Sequence, residues 1–95
     1  MTDFRDVTAE RRFEQGFTDA GGVLRKVWAD YAVQGDRRAI LRVEAEDDLR
    51  GSGAAGRFMQ SLADHARAEN IKLTPRCSYA VAWFKRHADY ADVLA

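Results

Sequence analysis

The sequence predicts an α+β (α/β) fold in which an antiparallel strand meander is followed by a helix, a strand and a second helix, in the order βββαβα. Apolar and polar residues alternate through the first half, as in a sheet with one buried face. From position 54 the apolar period changes to that of a helix. With 95 residues and 46% apolar content, we expect one domain over 11–95 after a flexible lead-in over 1–10.

Three strands and two turns make up the predicted meander. The strands cover residues 12–17, 24–33 and 39–45. The turns over 18–22 and 34–37 contain glycine and aspartate, which tolerate the dihedral angles of tight turns. The middle strand places Val27, Tyr31 and Val33 on one face, which we expect to be buried.

Two helices and a short strand follow the meander. Apolar residues recur at helical spacing over 54–69, and Asn70 is predicted to end this first helix. Its core-facing residues are Ala55, Phe58, Met59, Leu62, Ala63 and Ala66. A strand over 71–74, stopped by Pro75, precedes a second helix over 79–86 that Ser78 is expected to cap.

The composition excludes several classes of function. Cationic and anionic side chains balance at 15 each, so no global field draws the chain to nucleic acid. No apolar run approaches the roughly 20 residues that span a bilayer, and no signal peptide is evident, so we expect a cytoplasmic protein without a membrane partner. The single cysteine, Cys77, fits a reducing compartment. His65 and His87 stand alone, which predicts no metal site, and we place His87 at a solvated helix end.

A loop of small residues over 49–56 is the main candidate for a binding site. Gly51 and Gly53 permit positive φ and leave space for a ligand, so successive N–H groups can converge on one anion. The helix that follows adds the N–H groups of its first turn and the positive end of its dipole. This combination predicts a phosphate or diphosphate site for a nucleotide-type cofactor.

The small-residue loop shares features with three known phosphate-binding patterns. Gly51, Gly53 and Gly56 match the spacing of the dinucleotide fingerprint, but no acidic residue follows about 20 positions later to hold a ribose. The chain also opens with hairpins rather than a parallel βαβ unit. The P-loop is excluded because no Gly-Lys-Ser/Thr follows.

The third pattern is Arg/Gln-x-x-Gly-x-Gly/Ala, which Arg50, Gly53 and Ala55 satisfy. The segment Pro-Arg-Cys-Ser-Tyr over 75–79 and the ending over 83–92 complete the match. Over about residues 10–94 the chain resembles the small single-domain GCN5-related N-acetyltransferase-like family, whose members have the GNAT fold. Arg42 stands where that family often has a histidine, and Ala88-Asp89 replaces Pro-Glu.

This resemblance implies a minimal GNAT-like fold and an acetyl-CoA-dependent N-acetyltransferase. Acetyl-CoA would lie between the strand ending at Ala45 and the strand ending at Thr74, with its pantetheine arm along the first of these. The residues that the resemblance places around acetyl-CoA or CoA are Val43, Ala45, Arg50, Gly51, Ser52, Gly53, Ala54 and Ala55. Ser52 would add a hydroxyl donor, and Arg50 either steers a phosphate or is a solvated surface cation.

Three residues are candidates for catalysis. Cys77 precedes a helix whose N–H groups favour a thiolate, and it either carries the acetyl group, protonates the CoA thiolate, or is an inert small hydrophobe. Glu44 is a candidate base for the amine, or a strand residue paired with an arginine. Tyr79 is a candidate proton donor or a core aromatic residue, and we expect Trp83 and Phe84 in the core.

The acceptor side is expected to be open, because the chain lacks the long helices that wall off the acceptor in larger acetyltransferases. We therefore predict transfer to an unidentified amine of a protein, a peptide or a small molecule, by a monomer or weak homodimer. The alternative is a catalytically weak acyl-CoA-binding or protein-interaction module on the same fold. Arg42 in place of histidine is the observation behind this alternative.

Overall fold

The computed structural model describes residues 4–95. Its strands are β1 (Arg5–Val7), β2 (Arg12–Thr18), β3 (Leu24–Gln34), β4 (Arg37–Ala45) and β5 (Lys72–Pro75). Its helices are α1 (Ala54–Glu69) and α2 (Ser78–Arg86), with shorter 3-10 helices at Thr8–Glu10, Asp47–Leu49 and Ala88–Val93. The α+β class is confirmed, with one strand more at the start than the sequence predicted.

The five strands form one sheet in the order β1-β2-β3-β4-β5. The first three pairings are antiparallel, and β4 pairs with β5 in parallel. A parallel pair needs a crossover connection, and α1 supplies it. The sheet is therefore mixed, with its parallel pair at the β5 edge.

One face of the sheet packs against the helices. Phe13, Ala29 and Val43 are opposite one another across three strands and share this face. The cluster that joins the sheet to the helices includes Phe13, Val27, Ala29, Tyr31, Ile40, Phe58, Met59, Leu62, Leu73, Trp83 and Phe84. The predicted core positions of Trp83 and Phe84 are confirmed. Val33 differs from the expectation, because it lies beside the β3–β4 turn and is 41% exposed.

The flexible lead-in predicted for the N-terminus is wrong for the residues that the structure describes there. Residues 5–7 form β1 and pair with β2, and residues 1–3 lie outside the described part. Arg5 forms an ion pair with Glu14, and the Tyr31 hydroxyl donates to Asp6 at 2.6 Å. A three-residue edge strand is too short to show an alternating pattern, so only these tertiary contacts identify it.

The helix boundaries follow the sequence with one correction. Asn70 ends α1 in the left-handed conformation, with φ of 56°, as its residue type allows. The N-cap of α2 is Cys77 rather than Ser78, because the Cys77 sulfur accepts the Ala80 N–H at 3.4 Å. Pro75 closes β5 as its last residue, where a missing N–H is tolerated.

The C-terminal segment is fastened to α1 by polar contacts. Arg67 forms an ion pair with Asp92, with 2.6 Å between Nη2 and Oδ1, and the Tyr90 hydroxyl donates to Asp64 at 2.9 Å. Leu94 pairs with Leu73 at the outer edge of β5. These contacts hold the chain end beside the parallel strand pair.

The buried phenol of Tyr31 predicts an alkaline dependence of stability. Burial, with the hydrogen bond to Asp6, raises the pKa of Tyr31 from 10.0 to about 12. Its contribution to the free energy of unfolding is therefore fully present below pH 10 and is lost as the pH rises through about 12. In Tyr31→Phe, the highest-pH step of phenolate absorbance should disappear and the alkaline loss of stability should become shallower. Tyr79→Phe is the control, because Tyr79 is 37% exposed, and this variant should keep the highest-pH step of phenolate absorbance. If Tyr31→Phe also keeps that step, the assignment of the step to Tyr31 is contradicted.

Candidate functional site

β4 and β5 part at the point where the family resemblance predicts a cleft for acetyl-CoA. Their parallel pairing runs from Arg37 opposite Lys72 to Ile40 opposite Pro75, and the Arg76 N–H then donates to the Ile40 carbonyl at 2.9 Å. On its other side β4 continues to pair with β3 as far as Ala45. The second half of β4 thus borders this predicted cleft. The register with β3 shifts between Asp30 and Tyr31, which places a bulge in β4 where the strands part.

The small-residue loop lies between the end of β4 and the start of α1. Gly51 and Gly53 have φ of 77° and 81°, in the left-handed region that favours glycine. A Cβ on Gly51 would meet no atom within 4 Å among the described residues, so the backbone conformation rather than crowding requires glycine there. The loop delivers the chain directly into the first turn of α1, whose N–H groups lack intrahelical partners.

The Ser52 hydroxyl bonds within the loop and the Ala54 side chain is buried, whereas the resemblance implies that both residues line the cofactor site. The Ser52 hydroxyl donates to the Leu49 carbonyl at 2.6 Å and accepts the Ala54 N–H at 3.2 Å. The hydroxyl proton is therefore committed to the loop itself in this conformation. Ala54 has a buried side chain, whereas Ala55 is half-buried at the start of the helix.

Two arginines flank the loop. Arg50 is exposed and pairs with Asp47 at 3.4 Å, a surface contact that leaves its guanidinium accessible. Arg57, an exposed residue in the first turn of α1, donates to the Ser52 carbonyl at 3.2 Å and lies over the Phe17 ring. The sequence signal for Arg57 was its position one turn after Gly53, at the helix N-terminus.

A groove of about 430 Å³ joins the start of α1 to α2. Its lining residues are Gly53, Gly56, Arg57, Gln60, Tyr79, Trp83, Arg86 and His87. The His87 ring stacks on Trp83 with centroids 3.8 Å apart, and Nδ1 lies 2.7 Å from the Trp83 carbonyl, to which it donates. His87 is thus half-buried in the groove rather than at a solvated helix end, because the chain turns back beyond α2.

Cys77 lies where β5 ends and α2 begins. It is half-buried and unbridged, and its sulfur accepts a backbone N–H from the first turn of α2. Tyr79 is two residues further on and is 37% exposed. Desolvation raises the pKa of Tyr79, and the charge of Arg86 opposes this shift. The phenol is therefore protonated at neutral pH and available as a proton donor.

Glu44 lies on the sheet face opposite the helices. Its carboxylate is 2.9 Å from Arg42 Nε, and Arg42 also approaches Asp30 at 3.8 Å. Arg12 completes the network through Asp30 at 3.1 Å. The Glu44 side chain is 42% exposed, so the contact with Arg42 does not bury it.

Two further observations concern metals and membranes. Within residues 4–95, no group of three or more His, Cys, Asp or Glu side chains has the arrangement of a metal site. No helix in that range is long and apolar enough to cross a bilayer.

Comparison with known proteins identifies the family. Residues 13–93 match the family model described as GCN5-related N-acetyl-transferase. The chain is also similar to a GCN5-like candidate N-acetyltransferase from Staphylococcus aureus, solved by NMR, at 24% identity and a TM-score of 0.66. That similarity covers 98% of this chain and 87% of the other and shows the fold alone. No curated protein sequence matches the chain.

The cap at α2 predicts how the thiol contributes to stability. Cys77→Ala leaves the Ala80 N–H without its acceptor and should lower the free energy of unfolding by about 0.5 to 1 kcal/mol. Cys77→Ser restores an acceptor, so its free energy of unfolding, measured by urea denaturation, should equal that of the parent. Ser78→Ala is the control, since Ser78 is not the cap; a larger loss there than in Cys77→Ala would refute the assignment.

Proposed function

Because this chain belongs to the GCN5-related N-acetyltransferase family, we propose that it transfers an acetyl group from acetyl-CoA to an amine. One observation supports the proposal most directly. The pairing of β4 with β5 ends at Ile40 and Pro75, and the small-residue loop that follows β4 leads into α1. The pantetheine arm would lie along the second half of β4, including Val43 and Ala45. Ligands of parallel strand pairs bind in such crevices at the carboxyl ends of the strands.

The loop would hold the diphosphate. The left-handed φ of Gly51 and Gly53 would let their N–H groups turn toward one ligand, whereas the Ser52 N–H is held by the Leu49 carbonyl. The first turn of α1 would add more donors and the positive end of its dipole. Arg50 is accessible beside this site. The groove next to the loop combines the cations Arg57 and Arg86 with an aromatic surface, which suits the adenosine 3′-phosphate of CoA.

The chemistry requires two proton transfers. Attack by the amine forms an N–C bond and breaks the C–S bond of the thioester, so the amine must lose a proton and the CoA thiolate must gain one. We assign the second proton to Tyr79 or Cys77, at the start of α2. Glu44, at the border of the cleft, is the proposed base and must first exchange its contact with Arg42. A covalent route is open to the Cys77 thiolate, which would accept the acetyl group, release CoA and pass the acetyl group to the amine.

The exposed sheet face around Glu44 supports the proposed class of acceptor. A protein or peptide amine, or an exposed small amine, can reach a base that is 42% exposed. The same ion pair with Arg42 favours the second candidate function, a module that binds acyl-CoA or a protein but turns over weakly. We further propose that the protein is cytoplasmic, in keeping with its single cysteine, and acts as a monomer or weak homodimer.

Incubation with acetyl-CoA tests the proposed reaction. We expect calorimetric binding of acetyl-CoA and release of CoA thiol when peptide and polyamine acceptors are supplied. On the covalent route the protein gains about 42 Da, and Cys77→Ser abolishes this adduct while keeping the fold. Binding with neither adduct nor CoA release favours the binding module. Absence of binding to both acetyl-CoA and CoA would refute the two functions together.

The adenosine site predicts a difference between two ligands. Arg86→Ala should weaken CoA binding roughly two- to fivefold, as expected for one exposed ionic contact, and should leave dephospho-CoA binding unchanged. Lys85→Ala is the matched control, because Lys85 is exposed beside Arg86 but does not line the groove. Equal weakening of CoA and dephospho-CoA in Arg86→Ala would place the 3′-phosphate elsewhere.

A further inference from the structure

Arg25 on β3 contacts three carboxylates at once. Its Nε lies 2.9 Å from Asp19 Oδ2, its Nη2 lies 3.1 Å from Asp48, and its Nη1 lies 3.9 Å from Glu46. The Arg25 side chain is 29% exposed and the Asp19 side chain only 7%. The arginine is thus held between two segments that are far apart in the sequence.

Asp19 is the fixed end of this contact. Its Oδ1 accepts the N–H groups of Gly21 and Val23, each at 2.9 Å, within the turn between β2 and β3. Its Oδ2 accepts a hydrogen bond from Arg25 Nε. The hydrogen bond from Arg25 is the main cause of a lowered pKa of Asp19, so the carboxylate is charged throughout the neutral range. The β2–β3 turn therefore presents Arg25 in one orientation.

The carboxylates at the other end of this contact lie just before the small-residue loop that we propose to bind the diphosphate, hereafter the diphosphate loop. Asp48 belongs to the 3-10 helix Asp47–Leu49, which leads directly into residues 50–53. Glu46 precedes it and accepts the Lys26 N–H at 2.7 Å through its side chain. Leu49 closes the 3-10 turn with a buried side chain. The stretch before the two left-handed glycines is therefore held by its contacts with Arg25, by the bond from Glu46 to Lys26 and by the buried Leu49 side chain.

The same hairpin supports the far side of the loop. Phe17, near the end of β2, lies beneath the Arg57 guanidinium at 5.4 Å from the ring centroid. Arg57 in turn donates to the Ser52 carbonyl. Support from the β2–β3 hairpin thus reaches the loop at its entrance and at the start of α1.

We propose that Arg25, oriented by Asp19, is a positioning residue for the diphosphate loop. By holding Glu46 and Asp48 it orders the loop before the ligand arrives, so less conformational entropy is lost on binding. Arg25 acts through the loop and does not contact the ligand. The proposal rests on the acetyl-CoA site proposed above and adds the means by which that site is pre-organised.

Comparison of CoA with pantetheine, which lacks the diphosphate, tests this role. Arg25→Ala should weaken CoA binding roughly three- to tenfold and leave pantetheine binding, followed by NMR titration, unchanged. Where turnover is measurable, KM for acetyl-CoA should rise with little change in kcat. Arg25→Lys retains one cationic contact and should recover part of the loss. Arg67→Ala is the matched control, because it also removes a paired arginine but at the far end of α1. It should not alter the ratio of the affinities for CoA and pantetheine.

Amide exchange of the protein without ligand supplies an independent measurement. Arg25→Ala should accelerate exchange at residues 49–53 more than in α1 or β3. Equal weakening of CoA and pantetheine, or unchanged exchange in the loop, overturns the positioning role even if the parent protein binds CoA. If the parent binds neither CoA nor acetyl-CoA, the proposed function fails, and faster exchange at 49–53 in Arg25→Ala then still supports the ordering of the loop by Arg25.

Discussion

The parallel pairing of β4 with β5 is the constraint on which the remaining structure depends. Parallel neighbours cannot be joined by a tight turn, so the chain must leave β4, cross over as α1 and re-enter the sheet at Lys72. The crossover places a helix N-terminus at the carboxyl end of β4. Because pairing with β5 stops at Ile40 while β4 continues to Ala45, the β5 side of residues 41–45 and the start of α1 lie at the same end of the sheet.

Local charge arrangement matters in this protein even though its formal net charge is zero. Arg25 gathers carboxylates from the β2–β3 turn and from the loop entrance, whereas Arg67 fastens the C-terminal segment to α1. Arg50, Arg57 and Arg86 lie instead around the loop and the groove, where an anionic ligand can approach. Arginine thus stabilises the fold at some positions and lies around the proposed phosphate site at others.

Cys77 combines two uses of one sulfur atom. As N-cap it accepts the Ala80 N–H, and it is also the sulfur that we propose as an acyl carrier or proton donor. Tyr79 follows with a phenol whose raised pKa keeps it protonated. Glu44 lies on the opposite sheet face in an ion pair with Arg42, so it must exchange this contact before it can act as the proposed base.

The sequence alone determined the α+β class, the span of α1, the left-handed glycines of the loop and the family, because periodicity, glycine and short motifs are local signals. It did not reveal β1, which is too short for a pattern, or that Cys77 rather than Ser78 caps α2. The arrangement of Arg57, Tyr79, Arg86 and His87 around one groove was decided by tertiary structure. Tertiary structure also decided the contact between Arg25 and Asp48. The groove and this contact each join residues whose separation in the sequence does not determine their distance in the fold.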